Sequence, residues 1–292
     1  MATNNLRREP KRKPVTLIVG IVCRDAVVLA SDSQTTNLGS ETKRKDSKKI
    51  HAVHFANGSV LVAESGAVHA SGAVLDILSA KARTATIADE RTVPALVEES
   101  IRELRQKRLS LFPSHPRPLE EIQDFFRGDE DYFELMFAFH LGSGVHLYTA
   151  NPAWGLPIQV TKPFDAAGSG ATLGMYLLGE LYQPEMSAEF ACSVAVRVVE
   201  AVKQYDLYCE GPTQLGIIKA PQDLVGRWPN SSAEGLTAIF EREQVKELEK
   251  IVGEIDLQTK EERNRLVRER LQEKTKSYVE DLFIKHNFYL RK

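Results

Sequence analysis

TLIVGIVCRDAVVLASD, residues Thr16 to Asp32, decides the fold. Leu17 to Val22 is apolar and β-branched, and so is Ala26 to Ser31. Arg24 and Asp25 are the charged residues between them and mark a tight turn, so the stretch predicts a buried antiparallel hairpin. A threonine opens the first strand and an aspartate closes the second. A lysine, Lys49, follows in the polar segment DSKKI.

Those three residue types make chemical sense together. A threonine hydroxyl is a poor nucleophile and needs a base beside it. If the chain is cut before Thr16, that residue's own α-amine becomes the base, with a pKa of roughly 7.7–8.0. A lysine ammonium nearby lowers the pKa of the hydroxyl, and a carboxylate holds that lysine in place and charged. The pattern is that of an N-terminal-nucleophile hydrolase, conditional on the cut.

The 292 residues allow one large domain or two small ones. A net charge of −2 argues against nucleic-acid binding. No apolar run approaches the roughly 20 residues that a membrane helix needs, which gives no expectation of a membrane partner. Cys23, Cys192 and Cys209 are scattered and odd in number, without disulfide or zinc spacing, and point to a reducing compartment such as the cytoplasm. No His/Cys/Asp/Glu cluster calls for a metal, and no cofactor is expected. Residues 1–15 are basic and polar without the apolar core of a secretory signal, and are read as a disordered tail or a short propeptide.

Further along, Ser33 to Lys48 reads as a surface loop. Lys49 to Phe55 and Ser59 to Ala63 form a second strand pair about the Asn57-Gly58 turn. The small-residue run ESGAVHASGA leads into a helix through Leu75 and Leu78; His69 on it reads as a surface or packing residue. A second helix spans Val93 to Leu109, and three prolines (Pro113, Pro116, Pro118) break the pattern after it. FELMFAFHLG and VHLYTA predict another hairpin, with a strand before Ala166. Gly168-Ser169-Gly170 precedes a helix of small and apolar residues, where backbone N–H groups are placed to face an anion; an ordinary N-terminal turn explains the glycines equally well. Pro184 separates that helix from a second, read as running to Asp206, and TQLGIIK is a last strand. The order of elements predicts an α+β sandwich with helices outside and two sheets inside. Ala238 to Lys274 is rich in Glu, Lys, Arg and Leu and reads as a long charged helix with a break near Gly253, packed on the domain or on a neighbouring subunit.

Taken together, TLIVGIVCRDAVVLASDSQTT, DSKKI, and GSGATLGMYLLGELYQPEMS with its following KQYD resemble proteasome subunits of the β type, over about Val15 to Lys219. The resemblance implies a four-layer α-β-β-α sandwich of the N-terminal-nucleophile hydrolase type over residues 16–220, with a charged helical C-terminal extension over 221–292. It places the nucleophile at Thr16, the acid–lysine pair at Asp32 and Lys49, and supporting groups at Ser169 and Asp206. It puts the oxyanion-hole N–H at Ala63, where the family has glycine, and Cys209 where the family has a serine. It implies polypeptide substrates, other copies or related subunits in a ring, and an ATPase cap as partners. Val15 departs from the glycine usual before the threonine, and a β-branched residue there restricts the backbone twist of self-cleavage. Two other functions fit the same fold: a non-catalytic ring subunit, and a hydrolase of small amides. Retention of both Asp32 and Lys49 favours an enzyme.

Overall fold

The computed structural model describes residues 16–24, 26–37, 42–110, 132–142, 144–153, 156–219, 236–256, 269–270 and 272–289. The basic segment 1–15, the proline-containing run 111–131 and most of the interval 257–271 lie outside the described residues.

β1 (Leu17–Val22) and β2 (Ala26–Ser31) form the expected hairpin, with Ile18 opposite Ser31 and Val22 opposite Val27. Both strands are apolar at nearly every position because both of their faces are covered. Leu17, Val19 and Ile21 point toward a helical layer, while Ile18, Val27 and Leu29 point toward a second sheet. The first sheet has the order β10-β1-β2-β11-β12, with β10 at Phe164–Gly168, β11 at Gln214–Lys219 and β12 at Leu236–Ile239. The second has the order β5-β6-β7-β8-β9, with β5 at Ile50–Phe55, β6 at Gly58–Gly66, β7 at Phe133–Leu141, β8 at Gly144–Ala150 and β9 at Ile158–Gln159. Every pairing in both sheets is antiparallel.

Helices α1 (Val68–Ala82) and α2 (Thr92–Leu109) cover the second sheet through Val74, Leu78, Val97 and Ile101. Helices α3 (Ala171–Leu181) and α4 (Ala188–Lys203) cover the first. The four-layer sandwich is therefore as the sequence predicts. A dry interior of Ile18, Leu29, Ile50, Leu61, Met136 and Leu147 lies between the sheets. Glycine brings them close: a Cβ on Gly20 would sit 2.5 Å from Met136 Sδ and 2.9 Å from Leu147 Cδ2.

Helix α4 starts at Ser187, whose hydroxyl accepts the Phe190 N–H at 3.3 Å. It is buried almost all round because two further helices lie across it: α5 (Arg242–Asp256) and α6 (Gln272–Tyr289) add Val245, Leu248, Val252, Tyr278 and Val279 to the same core. Ser193 of α4 shares a 3.0 Å hydrogen bond with Thr275 of α6.

Three expectations are corrected. α4 ends at Lys203 and not at Asp206, which follows in a turn. Ala238 lies in β12, paired with Ile217, so the charged helix starts later, at Arg242. The segment after Asp32 is no plain surface loop: Ser33 and Gln34 are buried, and β3 (Thr35–Asn37) pairs with β4 (Thr42–Arg44) in a two-stranded ribbon.

Gly20→Ala is expected to destabilise the protein by about 1–3 kcal/mol through overpacking between the sheets. Gly179→Ala on α3, where a Cβ meets nothing within 4 Å, is expected to stabilise it by up to about 1 kcal/mol. Urea denaturation of the two variants checks the contrast.

Candidate active site

Thr16 stands immediately before β1 and is 1% exposed. Asp32 stands immediately after β2, so the hairpin register brings the two ends together: the Leu17 N–H donates to Asp32 Oδ1 at 3.0 Å. The other carboxylate oxygen accepts the Gln34 N–H at 3.0 Å. Two backbone donors thus fix Asp32, which is fully buried.

Lys49 comes from the opposite sheet, one residue before β5. Its Nζ donates to Asp32 Oδ1 at 3.1 Å and also to the Thr16 hydroxyl. Burial lowers the pKa of this ammonium, and the facing Asp32 carboxylate acts against that shift. The Thr16 hydroxyl in turn donates to the Gln34 carbonyl at 3.4 Å. Its oxygen therefore faces a cation, and its proton lies on a peptide carbonyl, which is no base.

The turn Gly168-Ser169-Gly170 closes the other side. The Thr16 N–H donates to Ser169 Oγ at 3.3 Å, and Ser169 Oγ and the Gly170 N–H each lie 3.3 Å from the Thr16 carbonyl oxygen. Gly168 has φ +94°, and a Cβ there would stand 2.1 Å from that same carbonyl oxygen, so only glycine fits. Cys209 Sγ lies 3.9 Å from Ser169 Oγ, behind it. Burial, then the Asp32 and Asp206 carboxylates, push the Cys209 thiol well above its usual range, and it stays neutral.

The structure brings together Thr16, Asp32, Lys49 and Ser169, with Cys209 in the next shell of contacts. Asp206 is further back: its Oδ1 accepts the Tyr208 N–H at 2.9 Å and its carbonyl accepts the Cys209 N–H at 3.0 Å, so it shapes the turn that carries Cys209. Ala63 lies in mid-β6 between Ile50 and Met136, with its side chain between the sheets. The Glu64 N–H donates to the Lys49 carbonyl at 3.0 Å. N–H direction alternates along a strand, so with the Glu64 N–H on the Lys49 side the Ala63 N–H lies on the β7 side. Gly66 stands at the strand-to-helix junction, with φ +95°.

Gln214 was not visible as a site residue. Its Oε1 accepts the Lys49 N–H at 2.9 Å and its Nε2 donates to the Ser47 carbonyl at 2.5 Å, which fixes the backbone from which Lys49 projects. A lone glutamine in a strand carries no sequence signal for this.

A family model described as proteasome subunit matches residues 15–110, which include Thr16, Asp32 and Lys49. A proteasome subunit beta of Methanocaldococcus fervens is 24% identical over 245 residues, covering 84% of this chain and 92% of the relative. A proteasome subunit beta 1 of Thermococcus gammatolerans is 28% identical over 213 residues, covering 72% and 92%. Over these spans the chain is similar to proteasome subunits of the β type. Among solved structures, Anbu (ancestral beta-subunit) from Yersinia bercovieri superposes with a TM-score of 0.61 at 15% identity over 83% of this chain and 95% of its own. A helical assembly of the Anbu complex from Pseudomonas aeruginosa gives 0.62 at 19% identity over 83% and 93%. These two likenesses carry the fold alone.

Removing one partner of the buried pair leaves an uncompensated charge. Asp32→Ala is expected to cost about 3–5 kcal/mol, and Asp32→Ala with Lys49→Met to be more stable than Asp32→Ala by itself, as read by chemical denaturation. All three cysteines are buried; iodoacetamide at pH 8 is expected to leave Cys209 unlabelled in the native protein and to label it after denaturation, as read by peptide mass.

Proposed function

We propose that this chain is a proteasome-like subunit and a threonine-type peptidase, active once it is cut before Thr16. The observation that carries the reading is the Lys49 ammonium bonded at once to the Thr16 hydroxyl and to Asp32. A structural subunit has no use for a buried cation aimed at a hydroxyl, because burying the pair costs desolvation.

In the 292-residue chain the Thr16 nitrogen is a peptide amide and cannot accept a proton. A cut after Val15 turns it into an amine, beside the hydroxyl of the same residue. The amine takes the hydroxyl proton as Oγ1 attacks a peptide carbonyl carbon. The C–N bond then breaks, the departing amine takes that proton, and an acyl ester remains on Thr16. Water, deprotonated by the same amine, hydrolyses the ester and frees the hydroxyl. Lys49 stabilises negative charge on Oγ1, and Asp32 holds Lys49 in place. Ser169 orients the nitrogen, and Asp206 acts on it through the turn that holds Cys209. The oxyanion N–H is assigned to Gly66 in place of Ala63.

In this reading residues 1–15 are a propeptide, residues 16–220 the hydrolase domain and residues 221–292 an extension, whose β12 joins the first sheet and whose α5 and α6 pack on α4. Polypeptides are the substrates, and further copies of the chain are the partners. The β-branched Val15 disfavours self-cleavage and assigns the cut to a second molecule or another protease.

The test is the N-terminal residue and intact mass of the purified assembly, followed by hydrolysis of unfolded casein with new amino termini counted. A chain starting at Thr16 with turnover, and a loss of at least about 10³-fold in Thr16→Ala, is expected. Turnover unchanged in Thr16→Ala would falsify the reading. Full activity in a chain that retains Val15 would remove the amine from the mechanism.

A further inference from the structure

Glu134 lies on β7 opposite Ser65 and, like Met136 and Ala138 further along the strand, faces the space between the sheets. Both of its carboxylate oxygens are engaged. Oε2 accepts the Gly168 N–H at 2.8 Å, and Oε1 accepts the Tyr132 hydroxyl at 2.9 Å. Burial and the adjacent Glu134 push the Tyr132 hydroxyl well above the usual tyrosine range, so it remains a donor.

Gly168 is the residue where β10 meets the start of β1, directly opposite Leu17. The turn it opens contacts Thr16 at its nitrogen and at its carbonyl oxygen, through Ser169 and Gly170. The turn itself has a left-handed glycine packed against the Thr16 carbonyl, with no slack for a side chain. The Glu134 carboxylate ties it to the facing sheet. A hydrogen bond from a backbone N–H to a carboxylate, here half-buried, is about twice as strong as a neutral one and restricts the donor's direction. Two ionic side chains of the second sheet therefore converge on Thr16: Lys49 at its hydroxyl, and Glu134 at the turn behind its backbone.

We propose that Glu134 is a positioning residue, which fixes the Gly168–Gly170 turn from the facing sheet and so sets the Thr16 nitrogen and hydroxyl against Lys49. The inference rests on the threonine-nucleophile reading above. Its physical basis is reach: a shift of about 1 Å at a reacting group costs on the order of 10²-fold in rate.

Glu134→Gln keeps the length of the side chain and an oxygen for the Gly168 N–H, while its amide can donate to the Tyr132 oxygen. Glu134→Asp keeps the charge and is one methylene short. With casein as substrate on the processed assembly, Glu134→Gln is expected to retain kcat within about threefold, and Glu134→Asp to lose about 30–100-fold in kcat with KM little changed. Functional sites are counted by covalent labelling with a threonine-directed electrophile, so that a loss of folded protein is separated from a loss of rate per site. Rates per labelled site that match wild type in both variants, a Gln variant as impaired as the Asp variant, or a change confined to KM would each overturn the proposal. Turnover surviving in Thr16→Ala is a failure of the underlying reading. Turnover abolished in Thr16→Ala but intact in Glu134→Asp is a failure of the positioning role alone.

Discussion

A single buried ammonium joins the two sheets at Thr16. Lys49 projects from the edge of the second sheet and ends between Thr16 and Asp32 of the first, with all three residues almost completely inside. Such a charge is stable only where geometry is tight, because its desolvation costs several kcal/mol and is offset only by close opposite charge and hydrogen bonds. The surroundings supply that tightness. Asp32 is locked by two backbone N–H groups, Lys49 is anchored at its own backbone by Gln214, and the sheets approach closely at Gly20 and Gly216, where a Cβ would press on Met136, Leu147 and Leu61. The inter-sheet core and the site are thus one mechanical unit: widen the sandwich and the ammonium loses its partners.

Much of this was legible in the sequence, for reasons that can be named. β1 and β2 are apolar on both faces because they are covered on both faces, so their runs are continuous and bounded by a charged turn. Thr16 and Asp32 stand at the two open ends of one hairpin, and a hairpin's ends are neighbours by construction. Lys49 was singled out by its residue type beside a threonine and an aspartate, whereas the role of Ser169 was reached through resemblance to a family, which spacing by itself does not provide. The glycine pair around Ser169 admitted a plain capping explanation until the fold placed Thr16 against it.

The misplacements share a cause: local pattern does not show where an element stops. The run ending KQYD keeps helical composition past Lys203, although the chain has already turned there to present Asp206 and Cys209. Leu236 to Ile239 merges with the charged stretch after it, and only pairing with β11 shows it to be a strand. Glu134 and Gln214 were invisible because each acts on a backbone group distant in sequence, Gly168 and Lys49.

β1 is an interior strand, laddered to β2 on one side and to β10 on the other from its first residue onward. Amide groups so held exchange with solvent only through large openings of the sheet. A terminus created next to Leu17 would therefore inherit a rigid base and would not fray as most chain ends do. The rotational entropy of a new amino terminus, which ordinarily opposes its use as a chemical group, is in this architecture already removed by folding.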